Sequence, residues 1–171
     1  MDKRDLEQLL SDVAGGSVTP ADALTRIQTA PTADLGFAQL DLSRGVRQGA
    51  GEVVYGAGKT ADQIAAIIEA LRDAGQERIL VTRLDAEKAA RTAELLGNGI
   101  DLGYVPDAQL ALVGGKPSPT GNGRIVVACA GTSDLPVAEE AALTAEFYGN
   151  EVDRLYDVGV AGLHRLLAHA E

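Results

Sequence analysis

The stretch that decides the fold is residues 124–148, which read RIVVACAGTSDLPVAEEAALTAEFY. Ile125 to Ala130 is a short apolar run bounded by glycines, and its β-branched content favours a buried strand. A sharp turn at 131–134 follows this run. Pro136 suits a first helical turn, and small apolar residues then recur at helical spacing as far as Tyr148. The stretch therefore predicts a strand, a turn and a helix whose small-residue face lies close to a sheet.

A second strand and helix follow the first pair. Asn150 to Tyr156 is typical of a strand, residues 157–162 of a loop, and Leu163 begins a helix. A right-handed crossover makes the two strands parallel, and open α/β sheets bind ligands at the carboxyl edge of such strands. Helix capping is the alternative role for the polar residues of the first turn, and a hydrolase triad is disfavoured because no G-x-S-x-G motif surrounds the serine. The polar side chains expected at this edge are Ser133, Asp134, Asp157, His164 and Arg165.

A second candidate site lies in residues 52–60, EVVYGAGKT, which predict a strand, a glycine turn and a helix start. A P-loop needs glycine at position 53, where this chain has valine, so the Walker motif fails. A strand, a glycine turn and a lysine before a helix still favour phosphate binding, with a tight turn capped by Thr60 as the alternative. Arg83 ends another predicted strand, 78–83, so we expect Lys59 and Arg83 to lie together in one basic site at the carboxyl ends of these strands.

The remaining elements set the domain organisation. Residues 2–13 and 20–27 carry apolar helical stripes separated by glycines and predict a helical hairpin. Residues 85–96 predict a helix and 102–113 one more strand. The stretch 114–123, GGKPSPTGNG, is typical of a linker, which divides the chain into an amino-terminal α/β domain, 1–113, and a second unit, 124–171.

Composition limits the function classes. The chain has 171 residues, 46% of them hydrophobic, and a formal net charge of −10, which argues against nucleic acid and anionic membranes as partners. No stretch approaches the run of about 18 apolar residues that spans a bilayer. Its single cysteine, Cys129, lies inside a predicted strand, where we expect a buried and inert thiol. These features are those of a cytoplasmic protein with a small-molecule ligand.

Several of these motifs carry a family resemblance. AGTSDLPVAEEAA at 130–142 and LYDVGVAGLHRLL at 155–167 resemble the LarB family, as do DLSRGVRQG at 41–49, EVVYGAGKT at 52–60 and VTR at 81–83, in the same order. The region from 124 onward is more loosely similar to the aminoimidazole ribonucleotide carboxylase (PurE-like) fold. The resemblance implies an α/β protein: a helical hairpin, an amino-terminal α/β domain, and the first half of a parallel, flavodoxin-like domain.

The resemblance also implies an activity. Members of this family carboxylate the pyridinium ring of nicotinic acid adenine dinucleotide with CO2 or bicarbonate and hydrolyse its phosphoanhydride with release of AMP, in nickel-pincer cofactor biosynthesis, with Mg²⁺ and as homo-oligomers. They continue with further strands and a nucleophilic cysteine, so this chain resembles a truncated form that is inactive by itself. The alternatives are a non-catalytic nucleotide-binding or assembly module and an enzyme like aminoimidazole ribonucleotide carboxylase.

Two arginines upstream of the glycine turn complete the candidate site. Arg44 and Arg47 are three residues apart, and they either clamp an anion from one helical face or pair with Asp41 or Glu52. By resemblance, the catalytic residues are Ser133, Asp134, Asp157 and His164, and the substrate-binding residues are Arg44, Arg47, Tyr55, Gly56, Gly58, Lys59, Thr60, Arg83, Gly131, Thr132, Gly159 and Arg165.

Overall fold

The computed structural model describes residues 3–28, 32–42, 44, 51–159 and 162–168. Arg47, one half of the predicted arginine pair, lies outside these residues. None of the helices within them combines the length and the apolar character that a membrane span requires.

The chain begins with the predicted helical hairpin. Helix α1 (Lys3–Ala14) ends at a glycine pair whose second member, Gly16, has φ +76°, and helix α2 (Pro20–Gln28) starts after Thr19. The Thr19 hydroxyl accepts a hydrogen bond from the backbone N–H of Asp22 at 3.1 Å and so caps α2. A short antiparallel pair follows, β1 (Thr32–Asp34) and β2 (Gln39–Asp41).

A mixed sheet forms the centre of the first unit. In the described part of the chain its strands are β3 (Val53–Tyr55), β4 (Ile79–Thr82), β5 (Leu102–Val105) and β6 (Leu110–Val113), in the order β3-β4-β6-β5. Strands β3 and β4 are parallel, and the other pairs are antiparallel.

The region 102–113 corrects one prediction, because it holds two strands instead of one. Pro106 opens a single 3-10 turn, Pro106–Ala108, and Gln109 reverses the chain with a left-handed φ of +47°. The residues on both sides of this turn have the apolar composition of a strand, so the sequence suggested one continuous strand.

Two helices cover one face of this sheet. Helix α3 (Ala61–Asp73) follows β3 and helix α4 (Ala86–Leu96) follows β4. Ile64, Ile68 and Leu71 of α3 are fully buried and pack with the sheet residues Ile79 and Val81. The helical spacing of the isoleucines therefore marks the face that forms the larger core.

The second unit supplies a helix to the opposite face of the same sheet. Strands β7 (Arg124–Ala128) and β8 (Glu151–Leu155) are parallel and are joined by helix α5 (Leu135–Phe147). Leu143 and Phe147 of α5 pack against Leu80, Leu110 and Leu112 of the central sheet. Helix α5 thus lies between two sheets, and its buried residues, Ala138, Ala142, Leu143 and Phe147, are all apolar. A short helix, α6 (Leu163–Leu167), ends the described chain.

The architecture is therefore mixed α/β with a parallel strand–helix–strand unit after the linker, as the sequence predicts. The two units on either side of residues 114–123 share a buried layer through α5. The prediction of a buried strand is wrong for β7, since Ile125 is 39% and Val126 60% exposed in the described part of the chain.

Candidate functional site

The glycine turn after β3 lies against the carboxyl end of β4. The backbone N–H of Gly56 donates to the carbonyl of Thr82 at 2.7 Å. A Cβ atom at position 56 would lie 3.1 Å from that carbonyl oxygen and 3.3 Å from the carbonyl oxygen of Arg83, so glycine permits this close approach. The parallel pairing of β3 and β4 therefore places the turn and Arg83 at one edge, as the strand order predicts.

Two cations predicted for this edge have defined partners. The Lys59 ammonium donates to the carbonyl of Tyr55 at 3.1 Å, and among the described residues no carboxylate lies within ion-pair distance of it. Arg83 has a left-handed φ of +52°, and its Nε lies 2.7 Å from Oε2 of Glu140 on α5. The Arg83 side chain thus contacts the second unit through Glu140. The Lys59 ammonium instead stays beside the glycine turn, where it donates to the carbonyl of Tyr55.

The helix that leaves the turn begins with a full capping box. The Thr60 hydroxyl accepts from the backbone N–H of Gln63 at 3.2 Å, and the Gln63 side chain accepts from the N–H of Thr60 at 3.0 Å. Thr60 therefore performs the capping role that the sequence offered as its alternative. Gly58 and Tyr55 flank the turn, and the Tyr55 side chain is 59% exposed.

Lys88 is a third cation at this edge, and sequence reasoning missed it. Its ammonium lies 3.2 Å from the carbonyl oxygen of Gly56, 3.5 Å from that of Ala57 and 3.1 Å from Oδ2 of Asp85. Asp85 caps α4, and the hydrogen bond that its carboxylate accepts from the backbone N–H of Lys88 is the first cause of its lowered pKa. The signal was present in the sequence: Lys88 is the third residue of a helix that starts directly after a parallel strand.

The arginine upstream of β3 is also paired. Nη1 of Arg44 lies 3.5 Å from Oε1 of Glu52, which is the ion pair that the sequence left open beside an anion clamp. The backbone of Glu52 is held in turn by the Gln76 side chain, at 3.1 and 2.9 Å.

The second predicted site follows β7. Residues Thr132–Asp134 form a 3-10 turn, in which Oδ2 of Asp134 accepts from the backbone N–H of Gly131 at 3.2 Å. Thr132 and Ser133 are exposed. Asp134 therefore closes its own turn, and the two hydroxyls of the turn face solvent.

The loop after β8 joins this turn at the same edge. The N–H of Val158 donates to the carbonyl of Cys129 at 3.1 Å, and a Cβ atom at Gly159 would lie only 2.7 Å from the carbonyl oxygen of Ala130. Asp157 has a left-handed φ of +58°, and its carboxylate pairs with the guanidinium of Arg165. The parallel crossover thus brings the Asp157 loop beside the Gly131 turn, as predicted.

Two other predicted residues of this edge differ in exposure. His164 lies in the short helix α6 and is exposed, so the structure places it on the surface near Arg165. Cys129 is buried, with 9% exposure, which confirms the expected burial of its thiol.

An ion-pair network ties the linker and β8 to α5. Arg154 donates to both Glu139 and Glu146, and Nζ of Lys116 lies 2.6 Å from Oε2 of Glu146. The Tyr156 hydroxyl donates to Oε1 of Glu139 at 2.9 Å. Burial, followed by this hydrogen bond, raises the pKa of Tyr156 to about 12, so the phenol stays protonated at neutral pH.

No group of three His, Cys, Asp or Glu side chains in the described ranges is arranged to hold a metal ion.

Fold and site together define an α/β protein that presents basic groups and glycine turns at the carboxyl edges of parallel strands. Residues 32–114 match the LarB/PurE-like N-terminal domain. This match supports the resemblance to the LarB family that the motifs predict.

Comparison with curated proteins adds a full-length reference. The chain is similar to the uncharacterized protein MJ0165 of Methanocaldococcus jannaschii, with 35% identity over 130 residues. The aligned residues make up 75% of this chain and 51% of that protein. The chain thus spans about half the length of the curated relative that it matches.

Proposed function

We propose that this chain supplies the dinucleotide-binding part of a carboxylase-type enzyme of cofactor biosynthesis. The substrate is nicotinic acid adenine dinucleotide, whose pyridinium ring gains a carboxylate from CO2 with loss of a ring proton. One water molecule then cleaves the phosphoanhydride and AMP leaves. The match to the LarB/PurE-like N-terminal domain supports the carboxylase class, and the site geometry supports the role of this chain within it.

The observation that carries the proposal is the edge of β3 and β4. Lys59 and Lys88 hold backbone carbonyls at a glycine turn there, directly before the amino terminus of α3, and the backbone of Arg83 adjoins the same turn. A diphosphate needs positive charge and free backbone N–H groups, and a helix amino terminus after a glycine turn offers both. In this role Lys59 meets a phosphate oxygen, while Lys88 holds the turn through the carbonyls of Gly56 and Ala57.

The edge of β7 and β8 takes the reacting end of the substrate in this proposal. The exposed hydroxyls of Thr132 and Ser133 line it, and Asp157 with Arg165 forms its opposite wall. These side chains bind and orient the pyridinium riboside. The thiol chemistry that the family resemblance implies is outside the capacity of Cys129, which is buried in the strand end.

Calorimetric titration of nicotinic acid adenine dinucleotide into the chain tests the proposal. A charge-assisted hydrogen bond at a partly exposed site contributes about 1–2 kcal/mol, so Lys59→Ala is expected to weaken binding by about 5- to 30-fold. Arg91→Ala is the matched control, since it removes the same charge from an exposed pair with Glu94 on α4. Its affinity is expected to equal that of the unmodified chain.

A change in the Arg83–Glu140 pair is expected to raise the affinity for the dinucleotide, where Lys59→Ala lowers it. Glu140→Gln releases the guanidinium from a partner at 2.7 Å, and a pair with one half-exposed member is worth up to about 1 kcal/mol. Dinucleotide affinity should then rise by up to about fivefold. Absence of binding to a chain shown to be folded by circular dichroism, or equal affinity in the Lys59→Ala and unmodified chains, would refute the proposed role.

A further inference from the structure

A cavity of about 560 Å³ lies between the two units of the chain. The turn 106–109 of the first unit forms one wall, and the other is formed by Thr132 of the turn after β7, the start of α5, and Tyr156, which follows β8. The cavity has the size of a site for a small organic ligand, and junctions between units are common places for such sites. Sequence reasoning assigned nothing to the 106–109 turn, to Glu139 or to Tyr156.

The cavity adjoins the basic edge described above. The backbone carbonyl of Gln109 accepts from the N–H of Leu84 at 2.8 Å, so the turn sits beside Arg83 at the carboxyl end of β4. On the other wall, Glu139 precedes Glu140, the residue that pairs with Arg83. One wall of the cavity thus contacts the residue next to Arg83, and the other holds the residue next to its partner Glu140.

Glu139 and Tyr156 present acceptor atoms to the cavity, whereas the side chains of Thr132 and Gln109 can donate as well as accept. Glu139 is held by the Tyr156 hydroxyl at 2.9 Å and by Nε of Arg154 at 3.1 Å, so the phenol proton is already used and its oxygen is left to accept. Asp107 and Gln109 make no side-chain hydrogen bond within the described ranges, and both line the opposite wall. The left-handed backbone of Gln109 is secured by its own N–H, which donates to Pro106 at 3.1 Å.

The charge of the lining selects the kind of ligand. Two carboxylates, those of Asp107 and Glu139, line the cavity, and no lysine or arginine is among the described residues that do so. A phosphate is therefore disfavoured, whereas hydroxyl groups that donate to carboxylates are favoured. Pro106, Leu135 and Pro136 add an apolar surface against which the face of a sugar or a base can pack.

We infer that this cavity binds a ribonucleoside through the cis-diol of its ribose, with Asp107 accepting from the diol. The inference rests on the proposed function in one respect: in the dinucleotide, the phosphates next to this ribose lie at the Lys59 edge. Adenosine and nicotinic acid riboside share this chemistry, and the experiment separates them.

The test uses ligands without phosphate, so that the basic edge does not contribute. Adenosine, 2′,3′-dideoxyadenosine and nicotinic acid riboside are titrated into the chain and followed by ligand-observed NMR. We expect adenosine or nicotinic acid riboside to bind about tenfold more tightly than the dideoxy compound, since hydrogen bonds to a charged acceptor are lost. The riboside that binds better identifies the half of the dinucleotide that occupies the cavity.

Asp107→Asn is the decisive variant, because Asp107 is exposed and its side chain supports no other described residue. The preference for the diol should fall to about twofold in this variant and stay unchanged in the control Asp101→Asn, an exposed aspartate in the loop before β5. Tyr156→Phe is the second variant and should weaken both ribosides. A diol preference that survives Asp107→Asn, or no preference in the unmodified chain, overturns the inference.

The outcomes also separate this inference from the proposed function. If the dinucleotide fails to bind, or Lys59→Ala has no effect on it, the proposed function fails while an Asp107-dependent diol preference still supports the cavity. If the dinucleotide binds through Lys59 and Asp107→Asn changes nothing, the proposed function stands and the cavity inference is wrong.

Discussion

Replacement of Thr92 by valine is expected to stabilise the protein. Thr92 lies in α4 with 0% exposure, and its hydroxyl oxygen has no hydrogen-bond partner among the described residues. A buried polar group without a partner costs about 1–3 kcal/mol, whereas a methyl group of the same shape has no such cost. Valine and threonine have similar helix propensities, so the local backbone term cancels.

The expected gain in the free energy of unfolding for Thr92→Val is about 1–2 kcal/mol. Urea denaturation followed by circular dichroism measures it, and in a chain of this length the melting temperature should rise by about 2–4 °C for each kcal/mol. The matched control is Thr144→Val in α5, because the Thr144 hydroxyl does have a partner and donates to the carbonyl of Glu140 at 2.6 Å.

The free energy of unfolding should rise in Thr92→Val and fall in Thr144→Val, or at least be about 1 kcal/mol higher in Thr92→Val than in Thr144→Val. A loss of more than about 0.5 kcal/mol in Thr92→Val would show that its hydroxyl has a partner, such as a buried water molecule, and would refute the reasoning.

Two other perturbations test the packing of α5 between the sheets. Leu143 is 6% exposed and packs against the central sheet, so Leu143→Ala should lower the free energy of unfolding, measured by urea denaturation, by about 2–4 kcal/mol. Leu163 of α6 is 63% exposed, so the control Leu163→Ala should lower it by less than about 0.5 kcal/mol. Equal losses would contradict the packing of α5 against the central sheet. Arg154, and then Lys116, lower the pKa of Glu146 below its ordinary value of 4.5, so its contribution to stability is present above that pH and is lost as the pH falls through the lowered value. Glu146→Gln should therefore flatten the acid limb of the stability profile below the ordinary pKa of 4.5, and a limb as steep as that of the unmodified chain would show that other carboxylates determine it.

Much of the fold follows from local spacing. The isoleucines at 64, 67 and 68 recur at the period of a helix face, and the run 124–130 has the β-branched content of a strand, so the type of these elements is encoded within about ten residues of sequence. The parallel pairing of β7 and β8 was also predictable, because a helix between two adjacent strands leaves essentially one handedness of crossover.

Part of the candidate site was predictable for the same reason. Gly56, Lys59 and Arg83 each follow a parallel strand, and Gly131, Asp134 and Asp157 follow the two strands of the second unit. Topology alone places such residues at a carboxyl edge. The partners of their side chains were not predictable, since Glu140 is 57 residues from Arg83 along the chain.

The sequence by itself determined the elements, the helical hairpin, the parallel crossover and the motifs that mark the LarB family, because each depends on residues that are near neighbours in the chain. Only the tertiary structure decided that β6 pairs between β4 and β5, that α5 packs on the second face of the central sheet, and that Lys88 reaches the glycine turn. The cavity between the 106–109 turn and Tyr156 belongs to this second group. By composition alone, many arrangements of these elements would bury their apolar faces equally well. The arrangement that forms is selected by the complementary shapes of the faces and by contacts between residues distant in sequence.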